Sequence, residues 1–139
     1  MYHKIIIAGY LGKDPEMRYT QDGTPVTNFS VATSRKWTRP DGTKMDETIW
    51  FRVSAWRQLG ELCNEYLQKG RPVLIEGRLR PDENGNPRTF TRNDGSAGAS
   101  FEITATTVRF LGGRGDTGAG PDAPDEPPPP DTGESEIPF

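Results

Sequence analysis

Hydrophobic and polar positions alternate along stretches of the chain, and the alternation breaks where Gly, Pro, Asp and Asn cluster. Residues 4–11, rich in Ile, predict a first strand that Gly12-Lys13-Asp14-Pro15 interrupts. The turn cluster Asp22-Gly23-Thr24-Pro25 precedes a second strand over 26–37, with Phe29 and Val31 spaced by two. Arg39-Pro40-Asp41-Gly42-Thr43 is a hairpin signal leading to a third strand over 48–56. Residues 57–69 carry Leu59, Leu62, Cys63, Tyr66 and Leu67 at helical spacing, and Gly70 is placed to cap the helix end. A fourth strand is predicted over 72–80, a long loop or extended hairpin over 81–98, and a fifth strand over 99–111. Five strands with one helix between the third and fourth is the plan of an OB-fold, a small all-β Greek-key barrel. A parallel α/β sheet would need several alternating helices.

The third strand is the most informative segment. Side chains of a strand alternate between faces. Ile49, Phe51, Val53 and Ala55 form a uniformly apolar set that belongs in a core. The other set is Trp50, Arg52, Ser54 and Trp56. Two indoles, a guanidinium and a hydroxyl suit an exposed platform on which flat bases stack while Arg meets phosphate. The alternative is that the tryptophans pack under a loop or at a subunit contact, where aromatic residues are also favoured. Basic residues flank aromatic ones again in Arg35-Lys36-Trp37-Thr38-Arg39 and in Arg88-Thr89-Phe90-Thr91-Arg92, and Arg78 and Arg80 share one face of the fourth strand. Each run alone describes a solvated face. Together they interleave π-faces with positive charge, which single-strand binding needs and catalysis does not.

Charge changes the picture once it is divided along the chain. The 139 residues carry a net charge of −3. Residues 1–111 hold 16 of the 17 basic and 13 of the 20 acidic residues, a balance of +3, which leaves −6 for residues 112–139. A mildly basic body with an acidic tail remains compatible with a nucleic-acid partner. Gly and Pro supply 13 of the last 28 residues, too few apolar groups remain to offset ordering entropy, and a disordered tail is expected over 112–139. The tail nevertheless ends Glu134-Ser135-Glu136-Ile137-Pro138-Phe139, with two bulky apolar side chains directly after its acidic ones.

Other features point to no chemistry. With one cysteine, Cys63, and one histidine, His3, neither a disulfide framework nor a His/Cys metal cluster or catalytic pair is expected, and Cys63 on the apolar helix face reads as core. No run approaches the roughly 18 apolar residues that span a bilayer. No charged-then-apolar leader opens the chain, so a cytoplasmic setting without membrane contact is expected. Asn28-Phe29-Ser30 matches a glycosylation sequon but lies mid-strand, and Arg114-Gly115-Asp116 is a chance tripeptide of a Gly-rich segment.

The chain resembles the bacterial single-stranded-DNA-binding protein family. The similarity runs through residues 4–19, Phe29-Ser30-Val31-Ala32-Thr33-Ser34 with Trp37, Trp50-Phe51-Arg52-Val53, Leu59-Gly60-Glu61, Tyr66-Leu67-Gln68-Lys69-Gly70, Ile75-Glu76-Gly77-Arg78-Leu79-Arg80 and the terminal Ile137-Pro138-Phe139. The resemblance implies an OB-fold homotetramer, nucleoid-associated and without cofactor, that coats single-stranded DNA in replication, recombination and repair. It maps stacking aromatics onto Trp37, Trp50 and Trp56, the last where Phe is common in relatives. It maps basic contacts onto Arg52, Arg78 and Arg80. Phe90 stands for a further stacking aromatic, within a segment 81–98 that differs from the family in length and sequence. The tip, with Glu134, Glu136, Ile137, Pro138 and Phe139, is implied to dock partner proteins, although Ser135 interrupts an acidic run that is often continuous Asp.

Two other classes remain as alternatives. An OB-fold accessory factor such as primosomal replication protein N would resemble the body without the acidic Ile-Pro-Phe end. A nucleic-acid enzyme would need clustered carboxylates, and Asp14 with Glu16, or Asp46 with Glu47, lack further ligands nearby in sequence.

Overall fold

One five-residue turn closes four reversals of the chain. In segments 20–24, 39–43, 82–86 and 92–96 the first residue's N–H donates to the fifth residue's carbonyl at 2.8–2.9 Å. The glycine at the fourth place donates back to the first residue's carbonyl at 2.9–3.2 Å. Those glycines, Gly23, Gly42, Gly85 and Gly95, have φ between 82° and 88°, a left-handed conformation that costs a side-chain-free residue little. In three of the turns an aspartate at the third place, Asp22, Asp41 or Asp94, accepts the fifth residue's N–H. The pattern is that of a three-residue hairpin loop with a glycine bulge.

The structure, a computed structural model, describes residues 1–112, so the expectations for 113–139 lie outside the described residues. The order is β1 (Ile5–Leu11), β2 (Glu16–Tyr19), β3 (Pro25–Thr38), β4 (Lys44–Trp56), α1 (Arg57–Tyr66), β5 (Pro72–Leu79), β6 (Arg88–Thr91) and β7 (Ala97–Phe110). Strands follow the spatial order β1-β5-β7-β4-β3-β2, and β1 also pairs with β3 through Tyr10↔Ala32 and Leu11↔Val31. That pairing closes a five-stranded barrel of β1, β3, β4, β7 and β5, antiparallel except for β4 beside β7. With α1 between its third and fourth strands, the barrel is the expected OB-fold. One strand was not expected, and another lies in the segment read as a long loop or extended hairpin. β2, the unexpected one, pairs with β3 across the 20–24 turn, and β6 pairs with β7 across the 92–96 turn, the hairpin alternative for 81–98. Both are four residues long, too short for alternation to stand out.

The barrel interior gathers Ile7, Leu11, Phe29, Val31, Phe51, Val53, Val73, Ile75, Ile103 and Val108, with Cys63 and Leu67 closing one end. Phe51, Val53 and Ala55 are buried as the alternation of the third strand predicts, and Ile49 is partly buried against them. Burial also pushes the Cys63 thiol up to about 12, which leaves it inert at neutral pH. The helix departs from its expected length. It stops at Tyr66, because Leu67 turns to extended backbone (ψ 149°) and buries its side chain in the core. Gly70, at φ 84°, therefore serves the turn into β5 rather than the helix end, and Arg71 N–H donates to the Gln68 carbonyl at 3.1 Å within it. Leu62 and Tyr66, expected on the apolar face, are exposed, and Tyr66 meets Phe110 edge-on at 5.8 Å. Asp14 takes a structural part, since its carboxylate accepts the Lys69 N–H at 2.8 Å.

Candidate nucleic-acid interface

Cross-strand register sets the outer face of the barrel in rows. Ser30, Arg52 and Glu102 stand side by side on β3, β4 and β7, and Arg80 joins them through its N–H bond to the Glu102 carbonyl at 2.9 Å. The next row holds Asn28, Ser54, Thr104 and Arg78. In it the Ser54 hydroxyl donates to the Asn28 side-chain carbonyl at 2.7 Å, and Ser54 is buried. Beyond that row Val26 pairs with both Arg18 and Trp56. On the other side Ala32 pairs with Trp50, and Ser100 pairs with Arg88.

Two open grooves adjoin on this face. One, about 340 Å³, is lined by Arg18, Tyr19, Asn28, Arg52, Trp56 and Arg80, among others. The other, about 250 Å³, lies between Trp50, Arg52, Phe90, Ser100 and Phe101. Arg52 borders both. Each groove thus offers an aromatic ring and a guanidinium.

Two of the rings sit on glycines. A Cβ at Gly12 would stand 2.4 Å from Trp50 Cζ3, so the indole lies directly on the Gly12 backbone. A Cβ at Gly98 would stand 2.7 Å from Phe90 Cζ, and Arg92 approaches the Phe90 ring at 5.6 Å. Trp50 and Phe90 are accordingly half-buried. The indole of Trp50 packs on its own chain, as the alternative reading of the tryptophans held, yet it still lines an open groove. Trp56 is 39% exposed at the corner where β4 meets α1, and the following residue, Arg57, takes a left-handed φ of 59°.

Charge is concentrated around one carboxylate. Glu102 Oε1 accepts from Arg52 at 3.2 Å and from the Ser100 hydroxyl at 3.1 Å. Its Oε2 lies 3.4 Å from Arg88 Nε and 4.0 Å from Arg80 Nη1. Arg52 is held below the usual guanidinium range by burial, and Arg80, Arg18 and Arg88 push it the same way, while Glu102 opposes them. Arg52 stays charged, because a guanidinium does not deprotonate in a protein.

The structure therefore brings Trp50, Arg52, Trp56, Arg80 and Phe90 together. Arg78 lies on the same face one row away and lines neither groove. Trp37 stands apart. It pairs with Met45 near the far end of the β3–β4 ribbon, and strand alternation puts it on the face opposite Trp50, Arg52 and Trp56. There Arg35 stacks on its ring at 4.4 Å. Sequence reasoning missed Arg18 and Tyr19, which reach the first groove from the unexpected β2, and it missed Glu102 altogether. Only the register of β7 against β4 shows that Glu102 meets Arg52.

Fold and surface together define an OB-fold protein with a basic, aromatic outer face of the kind that binds nucleic acid. The single-strand binding protein family matches residues 2–111. The single-stranded DNA-binding protein of Neisseria meningitidis serogroup A is 37% identical over 118 residues, 85% of this chain and 64% of that protein. That of Xylella fastidiosa is 40% identical over 116 residues, 84% of this chain and 67% of that protein. Among solved structures, the small single-stranded DNA-binding protein from Streptomyces coelicolor superposes with a TM-score of 0.64 at 27% identity, covering 78% of this chain and 94% of that one. The Plasmodium falciparum SSB in complex with ssDNA superposes at 0.66 with 26% identity, covering 81% and 97%. The chain belongs to the single-strand binding protein family, a family of DNA-binding proteins rather than enzymes. It spans about 64% of the length of the Neisseria relatives it matches. Among the described residues, no helix is long and apolar enough to cross a membrane.

Proposed function

We propose that this protein binds single-stranded DNA with little base preference and protects it. The observation that carries the reading is the pair of adjoining grooves, each with an aromatic ring and a guanidinium, joined at Arg52. Stacking serves any base because each has a π-face, and arginines meet the phosphates that every sequence shares. Duplex DNA keeps its bases stacked on one another and offers such rings nothing. In a fluorescence titration, oligothymidylate quenches the tryptophans and binding weakens as salt rises through counterion release. A duplex that competes as well as the single strand refutes the platform.

Trp50, Arg52, Trp56, Arg80 and Phe90 form the contact set in this proposal, with Arg78 beside it. Trp37 joins it only if the strand wraps round the β3–β4 ribbon. Residues 1–111 form the binding domain and 112–139 the tail. Glu134 and Glu136 meet a basic rim on partner proteins of replication, recombination and repair. Ile137, Pro138 and Phe139 fill an apolar pocket there, Pro138 limiting the backbone freedom lost on docking. The proposal includes a homotetramer, nucleoid-associated in the cytoplasm. Ile6, 58% exposed on the outer face of β1, is an apolar side chain that a neighbouring copy would cover. Sedimentation at micromolar concentration tests the assembly, and a monomer refutes it.

A further inference from the structure

We infer that Glu102 is a positioning residue of the DNA interface: its carboxylate holds in place the Arg52 guanidinium, which borders both grooves, with Arg80 and Arg88 gathered beside it. The inference rests on the single-strand-binding reading above. A carboxylate in the middle of a surface that meets phosphates is, on charge alone, a defect. Its surroundings explain why it stands there. Arg80, Arg18 and Arg88 all bear on the charge of Arg52, which is also partly withdrawn from water. Four like charges at close quarters would swing apart into solvent. Glu102, whose side chain is 12% exposed, binds Arg52 through one oxygen and reaches Arg88 and Arg80 through the other. The Ser100 hydroxyl donates to the oxygen that Arg52 shares and so fixes the carboxylate's orientation.

A guanidinium is a rigid planar fork, so anchoring one N–H restricts where its other donors point. The fork that matters most is that of Arg52, the member common to both grooves. Glu102 therefore trades some attraction for phosphate against arginines already ordered before DNA arrives, which lessens the entropy lost on binding.

The test compares full-length wild type with Glu102→Gln, Glu102→Asp, Arg52→Met and the double variant Glu102→Gln/Arg52→Met. Each is titrated with labelled oligothymidylate at one moderate salt concentration, after a melt confirms folding. Glu102→Gln is expected to bind about tenfold more weakly, equivalent to about 1.4 kcal/mol. Glu102→Asp keeps the charge and shortens the reach, and it is expected to weaken binding as well. In the Arg52→Met background the loss from Glu102→Gln should largely vanish, because the carboxylate acts through that arginine. A merely structural loss would persist there and overturns the inference. So does tighter or unchanged binding by Glu102→Gln, or full activity of Glu102→Asp, since charge alone would then account for the residue. If wild type itself fails to bind oligothymidylate, the single-strand-binding reading falls, and this inference falls with it.

Discussion

Replacing Gly12 by alanine tests the seat beneath Trp50. No left-handed φ is needed at Gly12, so alanine meets no backbone obstacle there. The Gly12 N–H bond to the Ser30 carbonyl, 3.1 Å long, can persist. The perturbation is one methyl group 2.4 Å from Trp50 Cζ3, 2.7 Å from Cη2 and 3.1 Å from the buried Ser30 Oγ. Ordinary carbon contacts begin near 3.5 Å, so the ring must retreat by about 1 Å or leave its rotamer. The indole borders an open groove and can tilt outward, which caps the stability cost near the low end of the roughly 1–3 kcal/mol typical of overpacking. Binding should suffer more. A stacked base contributes about 1–3 kcal/mol, and a ring displaced by about 1 Å loses a substantial part of that. Affinity for oligothymidylate should fall about threefold to thirtyfold, approaching but not exceeding the loss caused by Trp50→Ala. Titration by fluorescence anisotropy reads the affinity, and the emission maximum of the free protein reports the indole's new exposure. Wild-type affinity with an unshifted emission maximum would show that Trp50 does not depend on this seat.

Neighbouring residues of β4 should separate cleanly: Trp50→Ala should weaken binding by about 1–3 kcal/mol with little change in melting. Phe51→Ala, inside the barrel, should lower stability by about 3–5 kcal/mol, read by denaturant unfolding, and opposite outcomes would reverse the assigned faces. Asp22, Asp41 and Asp94 are held below the ordinary carboxylate range, by the Thr20 hydroxyl, the Thr43 N–H and the Ser96 hydroxyl respectively. Their folded values lie below the unfolded one of about 3.9, so the turns contribute stability above that pH and lose it as pH falls further. Melting temperature should therefore drop through the acid range, less steeply in Asp41→Asn than in wild type. Removing residues 112–139 should leave single-strand affinity equal or slightly higher, most visibly at low salt, because seven tethered carboxylates no longer compete for the basic body. A clear fall in affinity would make the tail part of the binding site.

Local rules made the barrel legible, and local rules also mark where legibility ended. Alternation over 49–56 separated Phe51 and Val53 from Trp50 and Arg52 because both faces of one strand are written in a single run of residues. The helix end was misplaced because helical spacing continues through Leu67, while its backbone answers to the core that Leu67 enters. β2 escaped notice, and 81–98 read equally as loop or extended hairpin, because four residues hold two alternations at most, although the Asp22-Gly23 turn that closes the first hairpin was visible as a turn signal.

The site shows the same division between what one strand states and what several strands state together. Trp50, Arg52 and Trp56 are two residues apart or multiples of it, so their common face follows from a period. Arg52 and Glu102 are 50 residues apart and meet at 3.2 Å only because β4 runs parallel to β7 in one particular register. A shift of one residue would have sent Glu102 into the barrel and Ile103 onto its outer face. The same register carries Ser100 to the carboxylate and Arg88 beside Ser100. Register in turn is fixed by the apolar set, since burying Phe51, Val53 and Ile103 on one side leaves Arg52 and Glu102 no place but the other. The charge cluster is thus a consequence of core packing: the residues that stabilise the barrel also determine which arginines share a carboxylate.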